Sequence, residues 1–122
     1  MAEELETRET TDMIASDKVS GTTVYNTAGE KLGTVEKFMV NKFTGQVEYA
    51  VLAFGGLFGI GHKHYPLPWG ALTYQTSQGG YVVNLSKEQL EGAPSYEAEE
   101  ETPAYDRDYG RAVYSYYGLV YQ

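Results

Sequence analysis

Two histidines, His62 and His64, are the first residues whose type and spacing suggest chemistry. Because successive side chains alternate across a β-strand, positions two apart share one face, where two imidazoles can bind a metal ion together. A stable metal site also needs a third ligand and supporting hydrogen bonds. No carboxylate lies close in the sequence, and Glu36 or Glu48 would have to approach through the fold. We therefore predict no metal site and interpret both histidines as polar residues at the exit of a loop.

The segment 55–61, with the sequence GGLFGIG, suggests a nucleotide-binding loop at first sight. A dinucleotide loop has the pattern G-x-G-x-x-G between a strand and a helix. Here the glycines stand in a different order, and Pro66 and Pro68 follow too closely for a helix to begin. The apolar members of the segment are Leu57, Phe58 and Ile60. We predict a flexible connection between strands that folds back on apolar surface, or a tip that binds a partner.

The sequence contains no pattern that is typical of catalysis. The absence of cysteine excludes a thiol nucleophile, a disulfide and a thiolate metal site. Serines are present, but none stands in the G-x-S-x-G pattern of a nucleophile elbow. Most acidic residues lie near the two ends of the chain, where they are solvated, and Glu36 and Glu48 are expected to face outward from strands. We therefore expect neither an enzyme nor a cofactor.

The elements that must position these residues are short strands separated by glycine-containing turns. The predicted turns lie at 26–29, 42–45 and 78–80. The predicted strands lie at 32–41, 46–54 and 81–85. Broken alternation from Glu36 to Phe38 predicts a β-bulge. Strands at this spacing, without long helices between them, indicate a small all-β barrel or sandwich.

The run from Val47 to Phe54 is apolar on both of its faces. A strand with one face in water alternates apolar and polar residues, and this one does not. One face is expected to line the core. The other face then needs a helix, a tail or another subunit to cover it.

Two helices are predicted after the strands. Ser86 and Gln89 form a capping box that opens a short helix. A second, amphipathic helix is expected to begin at Thr102 and Pro103 and to end at Gly118. Its apolar stripe is Tyr105, Tyr109, Val113 and Tyr117. An isolated helix of this length is marginal in water, so we expect the stripe to dock on another surface.

The net charge of −8 is concentrated at the two ends of the chain. Residues 1–13 sum to −4 and residues 91–122 to −5, whereas the middle is nearly neutral. Such ends repel nucleic acid and anionic membranes, so we do not expect nucleic acid as a partner. No apolar stretch reaches the roughly 20 residues that a membrane span needs. The acidic start differs from a signal peptide, and a cytoplasmic location is expected.

Several segments are informative as a set: MIASDKVSGTTVYN at 13–26, GEKLGTV at 29–35, the strand at 47–54, GGLFGIG at 55–61, PLPW at 66–69, LSKEQL at 85–90 and Ala93-Pro94. Together they resemble the PRC-barrel domain family. The resemblance implies a small β-barrel of about six strands that serves docking or assembly, as in the photosynthetic reaction centre H subunit and the ribosome maturation factor RimM. The segment from Tyr105 to Gly118 resembles an extension of free-standing bacterial members.

We therefore expect an acidic, disordered lead at 1–12, a PRC-type barrel at 13–94, and an acidic linker with an aromatic helix at 95–122. The expected function is non-enzymatic protein–protein interaction, with a homo-oligomer as the expected assembly. The predicted interface residues are Leu57, Phe58, Ile60, Tyr65 and Trp69. Trp69 alternatively anchors the core. The alternative functions are an RNA- or ribosome-associated assembly factor, and a binder of a small molecule or metal through the glycine-rich segment and His62/His64.

Overall fold

A computed structural model of the chain describes residues 13–54, 63–97 and 102–121. Within these ranges the chain forms six β-strands and three short α-helices. The strands are β1 (Thr23–Asn26), β2 (Lys31–Val40), β3 (Val47–Phe54), β4 (Lys63–Pro68), β5 (Leu72–Gln75) and β6 (Gly80–Val83). The helices are α1 (Ser16–Val19), α2 (Lys87–Glu91) and α3 (Arg107–Tyr116). The predicted acidic lead lies outside the described residues, as does most of the predicted acidic linker.

The strands form one curled sheet in the order β4-β3-β2-β1-β6-β5. Neighbouring strands are antiparallel except β1 and β6, which are parallel. The edge strands β4 and β5 are joined by a 3₁₀ turn at Trp69–Ala71. Because four residue steps separate Pro68 from Leu72, the two edges approach to within about 14 Å there. The predicted small all-β barrel of about six strands is confirmed.

Local sequence patterns place most of the turns and caps as predicted. Gly29, Gly45 and Gly79 all adopt positive φ angles, between 66° and 88°, in the three predicted turns. The hydrogen-bond register of β2 shifts between Val35 and Lys37, which is the predicted bulge. The capping box of α2 is also present, with hydrogen bonds in both directions between Ser86 and Gln89.

The inward faces of the strands form the main core. It contains Val24, Leu32, Val35, Leu52, Leu67, Tyr81 and Val83, with Val19 and Leu90 added by the helices α1 and α2. Strand β3 is buried on both faces, because Ala50 and Leu52 point into this core while Tyr49 and Val51 point to the opposite side. The two-sided apolar pattern of this strand therefore predicted its environment correctly.

The outer edge of β4 is protected by prolines. The backbone N–H and C=O of His64 point away from β3 and bond to Tyr96. The His64 N–H donates to the Tyr96 carbonyl at 2.8 Å, and the His64 carbonyl accepts from the Tyr96 N–H at 3.1 Å. Pro66 and Pro68 have the same orientation, since they lie two and four residues further along the strand. Their missing N–H groups deprive this edge of donors that another strand would need.

The helix α3 begins later than predicted. The sequence pattern placed its N-cap at Thr102, but the structure places it at Asp106, whose carboxylate accepts the N–H of Tyr109 at 2.9 Å. Tyr105 has a φ of 57°, which is not helical, and this residue turns inward before the helix starts. Gly118 follows the helix with a φ of 77°, as a C-terminal glycine does. None of the described helices has the length and hydropathy needed to cross a bilayer.

Candidate functional site

Tyr49 on β3 is the centre of an aromatic cluster that joins the barrel to residues 102–121, here called the C-terminal cover. The ring of Tyr49 meets Tyr105 and Tyr114 edge-on, with centroids 5.1 and 5.7 Å apart. Tyr109 lies 6.5 Å away in a tilted arrangement. Edge-to-face pairs of this kind contribute about 0.5–1.5 kcal/mol each beyond the area they bury. The cover is therefore held on the sheet by aromatic packing.

The four residues of the predicted docking stripe all lie against the barrel of their own chain. Val113 is 0% exposed, and Tyr117 packs against the main core. Tyr109 and Val113 belong to α3, whereas Tyr105 precedes the helix and Tyr117 caps it. The outer face of β3 is thus covered by the chain itself.

A tyrosine phenol is neutral near pH 7 at its ordinary pKa, and burial strengthens this preference in the cluster. Burial raises the pKa of Tyr109 to about 12, and the nearby Tyr96 adds to the shift. Burial also raises the pKa of Tyr49 and of Tyr105 above the usual value of 10.0. These hydroxyls therefore pack and hydrogen-bond, and none is suited to exchange protons with a substrate near neutrality.

Glu48 fastens the cover to the hairpin between β2 and β3. Its backbone carbonyl accepts a hydrogen bond from the hydroxyl of Tyr114 at 2.6 Å. Its carboxylate accepts the Tyr121 hydroxyl and the Asn41 side-chain amide, both at 3.1 Å. Gly110 leaves room for the ring of Tyr121, because a Cβ there would lie only 2.5 Å from it. One carboxylate therefore links the last described turn of the chain to the hairpin.

His64 is buried beneath Tyr96 and paired with Glu36. Its Nδ1 lies 2.9 Å from a carboxylate oxygen of Glu36, and its ring stacks on Tyr96 with centroids 5.1 Å apart. His62, the other candidate metal ligand, lies outside the described residues. Among the residues that the structure does describe, no three potential metal ligands come together. The pair lies where the segment after α2 joins the edge of the sheet, with the imidazole buried and the carboxylate partly exposed.

The predicted interface residues divide into two groups. Outside the described residues lie Leu57, Phe58 and Ile60. Tyr65 is 2% exposed and lies in the main core, because the alternation of β4 points it inward. Trp69 packs between Phe38 and Tyr81, with centroid distances of 6.1 and 5.6 Å. Tyr65 therefore lies inside the barrel, and Trp69 is half-buried against the main core.

An exposed aromatic residue stands at the tip of the β2–β3 hairpin, where the sequence analysis identified only a turn. Phe43 is 89% exposed. The side-chain oxygen of Asn41 accepts the backbone N–H groups of Phe43 and Thr44 at 2.9 and 3.1 Å. Gly45 completes the turn by donating to the Asn41 carbonyl at 2.7 Å. The sequence signal for this exposed tip is an aromatic residue within an Asn-x-x-Thr-Gly turn.

Two further exposed apolar residues stand next in sequence to hydrogen-bonded partners of Glu48. Val40, which is 45% exposed, precedes Asn41 in the chain. Val120, which is 80% exposed, precedes Tyr121. We call Val40, Phe43 and Val120 the Glu48 patch. Exposed large apolar side chains are costly in water and often mark a contact surface when they gather in one place.

A family model, described as the PRC-barrel domain, matches residues 11–90, which include all six strands. The chain belongs to the PRC-barrel domain family. An uncharacterized protein of Deinococcus radiodurans is 29% identical over 80 residues, which are 66% of this chain and 28% of that protein. The chain therefore spans less than a third of the length of this relative.

The PRC-barrel match ends before the C-terminal cover begins. The cover and the barrel together form a shallow groove, which consists of two adjoining cavities of about 190 and 210 Å³. The barrel contributes Ala71, Val83, Asn84, Leu85 and Gln89, and the cover contributes Tyr116, Tyr117 and Leu119. We call this the cover groove. Since both parts line it, the groove depends on the cover being docked on the PRC barrel.

Proposed function

We propose that this PRC-barrel protein is a non-enzymatic interaction module that binds a protein partner through the Glu48 patch. The observation that carries the proposal is the tip residue Phe43, which is almost fully exposed on a turn held by side-chain and backbone hydrogen bonds. Because these hydrogen bonds already fix the backbone of the turn, binding costs little backbone entropy there. Aromatic anchors of this kind supply much of the binding energy of protein interfaces.

The ionisable residues inside the described structure support an interaction role over a catalytic one. The imidazole of His64 is buried, stacks on Tyr96 and is paired with Glu36. The phenols of Tyr105 and Tyr109 pack against the ring of Tyr49 and stay protonated near pH 7. Catalysis needs a titratable group within reach of a bound substrate, and these groups are placed for packing.

Charge favours a protein partner over nucleic acid. The chain carries 17 acidic and 9 basic side chains, so its field repels phosphate backbones. Lys42, next to Phe43, gives the hairpin tip a local positive charge that suits an acidic protein surface. A protein with an apolar pocket and acidic residues at its rim therefore fits the patch best.

Co-purification from cells tests this proposal. A tagged full-length chain is produced beside an untagged copy, and the retained proteins are quantified for wild type, Phe43→Asp and Met13→Asp. Met13 is a matched control, because it is also a strongly exposed large apolar residue but belongs to the segment before α1. We expect at least one protein to be retained equally by wild type and by Met13→Asp. The retained amount of that protein should fall about tenfold with Phe43→Asp. Equal retention by all three variants would contradict binding through the patch.

A further inference from the structure

We propose that the partner of the Glu48 patch is a second copy of this chain, in which Phe43 of one copy inserts into the cover groove of the next. This inference rests on the proposed function and names its partner. The knob, Phe43, and the cover groove are both present on every copy, and Phe43 does not line the groove. Such a contact is heterologous, so repetition builds a ring or a short chain of copies.

The dimensions of the knob and the groove are compatible. A cavity of about 150 Å³ is large enough to hold benzene, and each part of the cover groove exceeds that volume, at about 190 and 210 Å³. Val83, Leu85 and Leu119 contribute apolar surface to the groove, beside polar side chains such as Asn84 and Gln89. A phenyl ring seated between them would exchange water contact for apolar contact.

Charge beside the knob and the groove is complementary. Lys42 lies next to Phe43, with its amine 6.0 Å from the centroid of that ring. Gln89 lines the groove from α2, whose exposed face carries Glu88 and Glu91 against a single lysine. Insertion of the knob would bring a positive side chain toward this acidic helix. The net charge of −8 otherwise opposes self-association, so the contact must be local and specific.

The contact is expected to be weak and concentration-dependent. A single aromatic side chain buries about 150–250 Å², whereas stable interfaces bury about 1,200–2,000 Å² in total. Each copy, however, offers one knob and one groove, so closure of a ring engages both at once. The groove also requires the docked cover, which makes assembly depend on residues 102–121.

A mixing experiment with two complementary variants tests the contact. Phe43→Asp removes the knob and leaves the groove, whereas Asn84→Trp fills the groove from an exposed position and leaves the knob. Mass is measured by light scattering and by sedimentation over a wide range of concentration. We expect wild type to self-associate, and each variant alone to associate at least tenfold more weakly. An equimolar mixture should form a heterodimer of twice the monomer mass and nothing larger, since one knob and one groove remain.

Unchanged melting temperatures and circular dichroism of both variants establish that they fold. Met13→Asp is again the matched control and should self-associate like wild type. A wild-type chain that stays monomeric to about millimolar concentration overturns this inference, and so does a mixture that remains monomeric. If the cell experiment then retains a different protein through Phe43, the proposed function stands and only the identity of the partner is wrong. If nothing is retained through Phe43, both proposals fail.

Discussion

Replacing Val113 by alanine tests how strongly the C-terminal cover is held on the barrel. Val113 is 0% exposed in the middle of α3. The change removes two buried carbon atoms, at about 0.8 kcal/mol each, and leaves a small cavity. The free energy of unfolding should therefore fall by about 2 kcal/mol. With a urea m-value of about 2 kcal/mol/M, the midpoint of urea unfolding should fall by about 1 M.

Val120→Ala is the matched control, because Val120 belongs to the same segment and is 80% exposed. Its effect on the free energy of unfolding should stay within about 0.5 kcal/mol. Both changes are made in the Phe43→Asp background, which removes the proposed contact between copies. Urea unfolding is followed by circular dichroism at two protein concentrations that differ tenfold.

The result also reports whether the cover belongs to its own barrel. An element supplied by a neighbouring copy would make the midpoint depend on protein concentration, whereas a cover on its own barrel would not. We expect Val113→Ala to lower the free energy of unfolding by the same amount at both protein concentrations. Equal stability of the two valine variants would refute the packing described here, and a midpoint that rises with concentration would refute its intramolecular nature.

Three further changes test local features of the fold. Ser86→Ala removes the cap of α2 and should cost about 1 kcal/mol in urea unfolding, whereas Ser77→Ala in an exposed turn should cost almost nothing. Gly79→Ala forces a side chain to adopt a φ of 66° and should lower stability by about 1 kcal/mol, with a smaller loss for Gly79→Asn; equal melting temperatures would contradict this. Finally, burial raises the pKa of Tyr109 to about 12 from 10.0, so the folded state keeps a proton that the unfolded state releases. Its contribution to stability is complete below pH 10 and is lost as the pH rises toward 12, and tyrosinate absorbance recorded beside circular dichroism should show late titration coupled to unfolding.

Features that depend on a few neighbouring residues were predictable from the sequence. The turns at Gly29, Gly45 and Gly79 need a residue that accepts a positive φ, and the capping box at Ser86 needs two side chains three residues apart. The bulge in β2 likewise follows from broken alternation within one strand. The resemblance to the PRC-barrel family supplied the number of strands and their barrel-like arrangement.

The candidate site was less predictable, because its residues meet through contacts between distant segments. The start of α3 moved to Asp106 when Tyr105 turned inward to pack on Tyr49, which lies more than fifty residues earlier. The residues around Tyr65 do not indicate which face of β4 points into the core.

The amino-acid sequence by itself determined the strand pattern, the tight turns, the caps and the need to cover both faces of β3, since each depends on periodicity or on local hydrogen bonding. Only the tertiary structure decided what covers β3 and which apolar side chains remain in water. Glu48 illustrates the difference, because it joins Asn41 and Tyr121 from segments that are 80 residues apart in the chain. The exposure of Phe43 is likewise a property of the packed molecule, since a side chain is exposed only when no other segment reaches it.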